Sequence, residues 1–497
     1  MRRRSSNAAW AVSLLWLAAC ATPSNGVPLD RPVYETLERL ASSGVVDGHL
    51  IGSRPISGRE AMRMLGEAHQ RLEQVHGTRY EWPDDLLYLV ADVDTGVTLS
   101  RDVDWSYYLK PLIEPEVRAM YLNGPESTIP ELPVHQHALI GLNGGVEASS
   151  GGNGYLRFAV EAGMGPFSGY VEPVFWLTQK TTTAYPNRAY GKFGLLGLEL
   201  TAGFDNVWWG QAKRGSLTIS NNARPMPMIR LSLAEPILLP WIFSVLGPLQ
   251  FDTFAAKLEA ERDVPSPALM GVRVNLKPHP ALELGASRAA ILGGEKVSLT
   301  FKDFWKTLLG VEETLPSYTL LTFDARLVTE YFQLYGEAGM EDVHGFVQTD
   351  LAYIAGLLIP YVARYFDARI EWADLSAKDW YRSPSFTSGY TYRGRLIGHP
   401  VGGGGRELFG EIGAGIRGSK FRAFGAYQTR EGRGSNVDVL ERHHQVGGSW
   451  DFTDIDPEGI GFTAGAEFAY DRIEDANHEV GSGEDLFFAG LTLRGRW

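Results

Sequence analysis

Apolar and polar positions alternate with a period of two along most of this chain, most clearly in its last twelve residues. In Leu486 to Trp497 (LFFAGLTLRGRW), Phe487, Ala489, Leu491, Leu493, Gly495 and Trp497 share one strand face, and Thr492, Arg494 and Arg496 share the other. An apolar face backed by a charged one, closed by an aromatic residue, suits a strand set between lipid and a wet lumen. The pattern recurs. Leu156, Phe158, Val160 and Ala162 oppose Tyr155, Arg157 and Glu161. Phe366, Ala368, Ile370 and Trp372 oppose Asp367, Arg369 and Glu371. Phe462, Ala464, Ala466, Phe468 and Tyr470 oppose Thr463, Glu467 and Asp471. A face carrying Arg and Glu is costly inside a soluble sandwich unless paired, but is solvated in a wide lumen. The expected fold is an all-β transmembrane barrel of antiparallel strands. At roughly 20 residues per strand and loop, about 16 to 20 strands fit between Val117 and Trp497.

The stretch Val33 to Ala91 instead carries helical spacing. Tyr34, Leu37, Leu40 and Ala41 form one stripe, and Ser57 with Glu60 forms a capping box ahead of Ala61, Leu65, Ala68 and Leu72. Asp84 or Asp85 is placed to cap a third helix with Leu86, Leu89 and Val90. These helices are too polar for a bilayer and are expected in the periplasm. Arg2, Arg3 and Arg4 precede a short apolar run, Ala8 to Ala19, which reads as an export signal. It ends in Leu-Ala-Ala-Cys, and Cys20 is the sole cysteine, placed where a lipoprotein signal needs its lipidation site. Cleavage after Ala21 is the alternative. The expected division is a signal over 1–20, a linker and periplasmic helical domain over 21–116, and an outer-membrane β-barrel over 117–497. Leu238 to Leu249 and Phe304 to Val311 are apolar without clean alternation and are left unassigned.

Composition narrows the class. The chain has 497 residues with 57 glycines and 11% aromatics, a mixture suited to many strands, turns and interfacial girdles. No apolar run reaches the ~20 residues of a spanning helix. A formal net charge of −13 argues against a nucleic-acid partner, which would demand a basic face. There is no metalloprotease helix motif, nucleophile elbow or phosphate loop, so no catalytic residue, metal or cofactor is assigned. Gly402 to Gly405 precedes a strand and reads as a flexible inter-strand turn. His443 and His444 point to opposite strand faces, cannot easily share a metal, and read as surface histidines.

Three ordered blocks carry a family resemblance: Gly215 to Leu231 (GSLTISNNARPMPMIRL), Val272 to Glu295 (VRVNLKPHPALELGASRAAILGGE), and Glu371 to Gly398 with its GYTYRGRLIGHP continuation. Together they resemble the Wzi-type capsule assembly family, and the helical amino-terminal stretch is similar too. The resemblance implies an outer-membrane barrel of about 18 strands with a periplasmic helical bundle near its inner mouth. It also implies a non-catalytic, lectin-like role, holding capsular polysaccharide or exopolysaccharide at the cell surface. The expected partners are that glycan, outer-membrane lipid and the barrel assembly machinery, the last reading Phe487, Leu491, Leu493 and Trp497; a monomer is expected. Two features depart from the pattern. An integral barrel does not require a lipoprotein signal, and Gly495 sits third from the end, where barrels commonly place an aromatic.

Sugar binding calls for aromatic faces beside hydrogen-bonding side chains. Trp208 and Trp209 with Asn221, Asn222 and Arg224 form one such group, and Tyr390, Tyr392, Arg393, Arg395 and His399 another. Each has a plainer reading. The tryptophans fit an interfacial girdle better, the asparagines fit turn geometry, and Arg393 and Arg395 fit pairing with acidic lumenal faces. Pro225 and Pro227 are expected to stop strand pairing. An acidic glycan would be repelled by a uniformly negative exterior. Basic loops, a neutral glycan, or confinement of the negative charge to the lumen and periplasmic part would each resolve this. A porin-like diffusion channel and, further off, a barrel enzyme acting on lipid or glycan are the competing functions.

Overall fold

The period of two is realised as one sheet closed on itself. The computed structural model describes residues 23–75, 107–295, 300, 302–303, 306 and 316–496, less 31–32, 43, 47–49, 342–350, 364–365, 378, 417, 433–437 and 456–460. The signal segment with Cys20, the third helix, most of Phe304 to Val311, and Trp497 lie outside these residues.

Among the described residues, eighteen antiparallel strands form the barrel. They are β1 (Tyr108–Asn123), β2 (Gly151–Met164), β3 (Phe167–Thr178), β4 (Thr182–Leu195), β5 (Leu198–Asp205) and β6 (Met226–Leu233). Then come β7 (Pro248–Lys257), β8 (Ala268–His279), β9 (Leu282–Leu292), β10 (Ser317–Val328), β11 (Gln333–Glu341) and β12 (Leu351–Ala363). The circuit ends with β13 (Phe366–Leu375), β14 (Gly405–Ile416), β15 (Ser419–Glu431), β16 (Leu440–Ile455), β17 (Gly461–Glu474) and β18 (Gly483–Arg496). Closure pairs β18 with β1, matching Val117 with Leu493 and Ala119 with Leu491. The first strand opens at Tyr108, upstream of the expected Val117. Pro227 does not end pairing, since it sits opposite Phe204 within β6.

Outward positions are apolar and exposed, including Val117, Leu334, Ile370, Trp372, Phe468, Leu491 and Leu493. No helix among the described residues is long and apolar enough to cross a membrane; the strands supply the lipid-facing belt. Inward positions are charged, but the wide wet lumen expected for them is not found. Arg273 and Arg326 are each 1% exposed. Arg273 donates to Asp324 at 2.7 and 2.9 Å, and Arg326 to Glu283 at 3.2 Å. Buried charges persist when paired, and here loops from one end and the amino-terminal segment from the other displace the water. The adjacent histidines split as alternation requires, yet His443 is not a surface residue. It lies inside with Nδ1 2.8 Å from Asp471 and Nε2 2.9 Å from Glu441, while His444 faces outward beside Tyr427. Gly402 to Gly405 forms a buried, packed turn rather than a flexible one, with the Gly404 amide donating to the Leu375 carbonyl at 2.8 Å.

The two mouths differ. At one, short turns such as 165–166 and 196–197 join neighbouring strands, and helices α1 (Val33–Ser42) and α2 (Gly58–Val75) dock there. At the other, strands are joined by long loops, 124–150, 206–225 and 376–404. The helices share a core of Tyr34, Leu37, Leu40, Val46, Ile56, Ala61, Met64 and Ala68. Ser57 Oγ accepts from the Glu60 amide at 3.0 Å, the expected start of α2. α1 is tied into the wall: Gln333 Nε2 donates to the Glu38 carbonyl at 2.6 Å, Glu38 pairs with Arg369, and Arg39 pairs with Asp367. Burial alone would raise the Glu38 carboxyl, but the guanidiniums of Arg369, Arg54 and Arg326 outweigh it and hold it below its ordinary range.

The lipid-facing seam gives a direct test. Leu491→Arg, beside Ala119 at the closure, should destabilise the barrel by about 2–4 kcal/mol for a cation deep in the bilayer. Thr492→Arg, on the inward face, should cost less. Urea unfolding in liposomes, followed by heat-modified electrophoretic mobility, compares the two.

Candidate functional site

The long-loop mouth is closed by its own loops, and carboxylates on the wall hold them. Glu337 on β11 accepts from the amides of Gln211 (2.9 Å) and Leu217 (3.0 Å) and from Ser216 Oγ (3.2 Å). Glu371 on β13 accepts from the amides of Lys213 (2.8 Å) and Arg214 (2.9 Å). Backbone groups removed from water must find partners, and these two side chains supply them for one stretch of the 206–225 loop. Gly210, at φ 145°, lies so close to Glu337 that an added Cβ would fall 2.1 Å from its Oε1. Beneath, Ser53–Arg54 pairs with Trp208–Trp209 as a two-residue ladder, and the Gly210 amide donates to the Gly52 carbonyl at 2.9 Å. Glu283 in turn accepts from the Gly52 amide at 2.8 Å. The plug therefore runs continuously from helices to outer loops. Beside it, a cavity of about 530 Å³ is lined by charged residues such as Glu35, Lys213 and Lys420 and by apolar ones such as Phe409, Phe424 and Phe468.

The 376–404 loop adds a hairpin, Thr391–Tyr392 against Arg395–Leu396. Its two turn residues, Arg393 (φ 46°) and Gly394 (φ 76°), both have positive φ, the geometry of a tight two-residue hairpin. The His135 amide of the 124–150 loop donates to the Gly394 carbonyl, and the Ser220 amide of the 206–225 loop to the Ile397 carbonyl, each at 2.9 Å. Tyr381 stacks on Tyr390 at 5.5 Å and donates its hydroxyl to the Leu217 carbonyl at 2.8 Å. Three loops thus share one core.

Residues 124–465 match the family model described as capsule assembly protein Wzi, well over half of the chain. The chain belongs to the Wzi capsule assembly family. A Klebsiella pneumoniae relative, described as an uncharacterized 55.8 kDa protein in the cps region, is 29% identical over 181 residues. That match covers 34% of this chain and 36% of the relative, so the chain spans about a third of that relative's length. Among solved structures, Escherichia coli Wzi superposes with a TM-score of 0.71 at 16% identity, over 95% of this chain and 99% of that one. It is described as an outer membrane protein involved in group 1 capsule assembly and a carbohydrate-binding β-barrel. Pseudomonas aeruginosa OccD3 aligns with 78% of this chain and 93% of its own, at TM-score 0.47 and 9% identity. A closed barrel of this family, with an apolar outer belt, is a Gram-negative outer-membrane protein.

Within this Wzi-family barrel, most of the residues singled out for sugar binding are buried. Trp208 and Trp209 are no interfacial girdle: both are buried in the plug. Trp209 Nε1 donates to Asp252 at 3.1 Å and its ring packs on Phe254, while Arg54 lies over Trp208. Asn222 is wholly buried and donates to the Leu396 carbonyl at 3.0 Å; the Asn221 carbonyl accepts from the Gly144 amide at 2.9 Å. Tyr390, Tyr392 and His399 are buried as well. Arg395 pairs with no acidic wall; it donates to the Val146 carbonyl (3.0 Å) and Asn143 Oδ1 (3.2 Å). Burial, then the neighbouring Arg224 cation, push it down to about 10. Arg393 is exposed over the Tyr392 ring, and its amide donates to Glu259.

Arg224 alone of the first group reaches the mouth with a half-open setting. Its guanidinium lies 4.7 Å from the centre of the Tyr185 ring and pairs with Glu147, whose side chain is 47% exposed. Trp176 is half-buried at the same end of the β3–β4 hairpin and donates Nε1 to Asn153 at 3.0 Å. Tyr185, Glu147 and Trp176 escaped the sequence reading. The available signal was register: Tyr170, Glu172, Val174 and Trp176 follow one inward face, and Val174 is paired with Tyr185.

Two outcomes follow. Glu337→Ala orphans the Gln211 and Leu217 amides, at about 1–3 kcal/mol each; protease cleavage within 206–225 should rise and a larger single-channel current should appear in planar bilayers. His399 is pushed down to about 4, first by burial, with Arg214 adding and Glu407 opposing. Unfolded, it takes its proton near 6.5. Between those values the opened loop binds more protons, so the closed state loses stability as pH falls from 6.5 towards 4. Proteolysis of the 376–404 loop should increase across that window, and less so in His399→Gln.

Proposed function

We propose that the protein binds capsular polysaccharide or exopolysaccharide at its long-loop mouth, without catalysis, and keeps it on the cell surface. The observation that carries this reading is the combination of a filled interior with an open rim. Loops and amino-terminal segment occupy the lumen, which suits a diffusion channel poorly, while Tyr185, Arg224, Glu147 and Trp176 are only partly buried at the long-loop end. An aromatic face beside a cation and a carboxylate offers a pyranose both a CH-stacking surface and hydroxyl partners. Barrels of this kind carry short turns on the periplasmic side and long loops outside, so the rim faces the medium and the helices face the periplasm. Membership of a capsule assembly family, and the carbohydrate binding described for Escherichia coli Wzi, support the glycan as ligand.

A shallow rim site gives weak binding to one sugar unit. Retention then comes from repeats of one polymer engaging many copies of the barrel. The outward face of β18, with Phe487, Leu491 and Leu493, is the part we assign to insertion by the barrel assembly machinery, into lipid and as a monomer. The porin-like alternative predicts a large steady current from the wild type, and a barrel enzyme predicts turnover of lipid or glycan abolished by one substitution.

The deciding experiment compares a deletion strain with one carrying Arg224→Ala and Tyr185→Ala. Deletion should release glycan into the medium, and the double variant should bind purified cell-surface glycan about tenfold more weakly, a loss of roughly 1.4 kcal/mol. Unchanged retention in the deletion strain would remove the anchoring role.

A further inference from the structure

One connection at the helix-bearing mouth breaks the rule of short turns. Between β6 and β7 the chain runs Pro236 to Pro248 (PILLPWIFSVLGP), a stretch without a single charged residue. It builds a 3₁₀ helix, Trp241–Leu246. Trp241 is 90% exposed, Ile242 79%, Val245 73%, Leu238 68% and Phe243 54%. All but that of Phe243 exceed the values of the belt residues Val117, Leu334, Ile370, Trp372, Phe468, Leu491 and Leu493.

The segment is held firmly despite this exposure. Ser244 Oγ donates to the Trp241 carbonyl at 2.7 Å and the Gly247 amide to the Ser244 carbonyl at 3.0 Å. Ile237 and Leu238 pair with Leu249 and Pro248. At its foot, Ser57 Oγ donates to the Ala234 carbonyl and Arg59 pairs with Glu235 at 3.5 Å, so the start of α2 clamps the same point.

Its position identifies what covers it. Ile237 lies opposite Leu249, Leu249 opposite Leu276, and Leu276 opposite Leu284, a cross-strand row on the outward face. The segment is the continuation of the lipid-contacting belt past the end of the strands. Tryptophan is enriched at such a depth, where its ring meets both acyl chain and headgroup.

We propose that Pro236 to Pro248 is a membrane wedge, seated at the acyl–headgroup boundary of the phospholipid leaflet on the helix-bearing side. Its partner is the lipid itself, and it pins the depth and tilt of the barrel next to the point where the helical plug is clamped. This is independent of any glycan at the opposite mouth.

The test uses the full-length protein in phosphatidylcholine vesicles and compares wild type with Trp241→Phe, a change that spares the fold. The difference between their emission spectra reports Trp241 alone. Lipid brominated high on its acyl chains should quench that difference component more than lipid brominated near the chain ends, and aqueous iodide should have little effect. Quenching by iodide but not by bromolipid would overturn the wedge, placing the segment in water. Protection from both quenchers would overturn it equally, by showing a protein surface, such as a second copy, over the segment.

Discussion

A carboxylate on a barrel wall, accepting from the backbone amides of a segment inside the barrel, is the interaction on which the rest of this structure depends. Glu337 and Glu371 do this for the 206–225 loop, and Glu283 does it for Gly52. A loop drawn into a barrel loses its hydration, and each amide left without a partner costs about 1–3 kcal/mol. The wall in turn needs its charge balanced, and Arg273, Arg326 and Arg369 supply cations between the carboxylates. Plug and wall also pair directly, Arg214 with Glu407 and Glu38 with Arg369.

That balance bears on the acidic composition. Much of the negative charge is spent inside, on Asp252, Glu283, Asp324, Glu337 and Glu371, all buried. Net charge read from composition is consequently a poor guide to the potential at the long-loop mouth. The local pairing there, Arg224 with Glu147 beneath an aromatic face, sets that potential instead.

The barrel was legible because alternation is a local property: two residues suffice to assign a face, and Leu491 or Ile370 on the outside follows from its neighbours. The capping box at Ser57 was legible for the same reason. The plug was not. Glu337 meets Gln211 across 126 positions, and nothing near either residue announces the other. Trp208 and Trp209 read alike whether they belong to a girdle or to a plug; Asp252 and Arg54, distant in sequence, decide it. His443 could have been placed. Glu441 and Gln445 share its face while Val446 lies on the opposite one, so the polar face of that strand was already visible. Of the sugar candidates, Arg224 is half-buried at the mouth and Arg393 is exposed in a hairpin turn; the others, Arg395 among them, lie in the interior.

The wall grips the plug through backbone amides and side chains alike: Gln211 reaches Asp324, Lys213 reaches Glu411 and Arg214 reaches Glu407. Gly210 is fixed by its contact with Glu337, and Lys213 and Arg214 are held both at their amides by Glu371 and at their side chains by Glu411 and Glu407. The rim residues stand one step further out, on hairpins joined to one another through carbonyls and amides such as those of His135 and Gly394. A mouth built this way can change its surface chemistry without reopening the lumen.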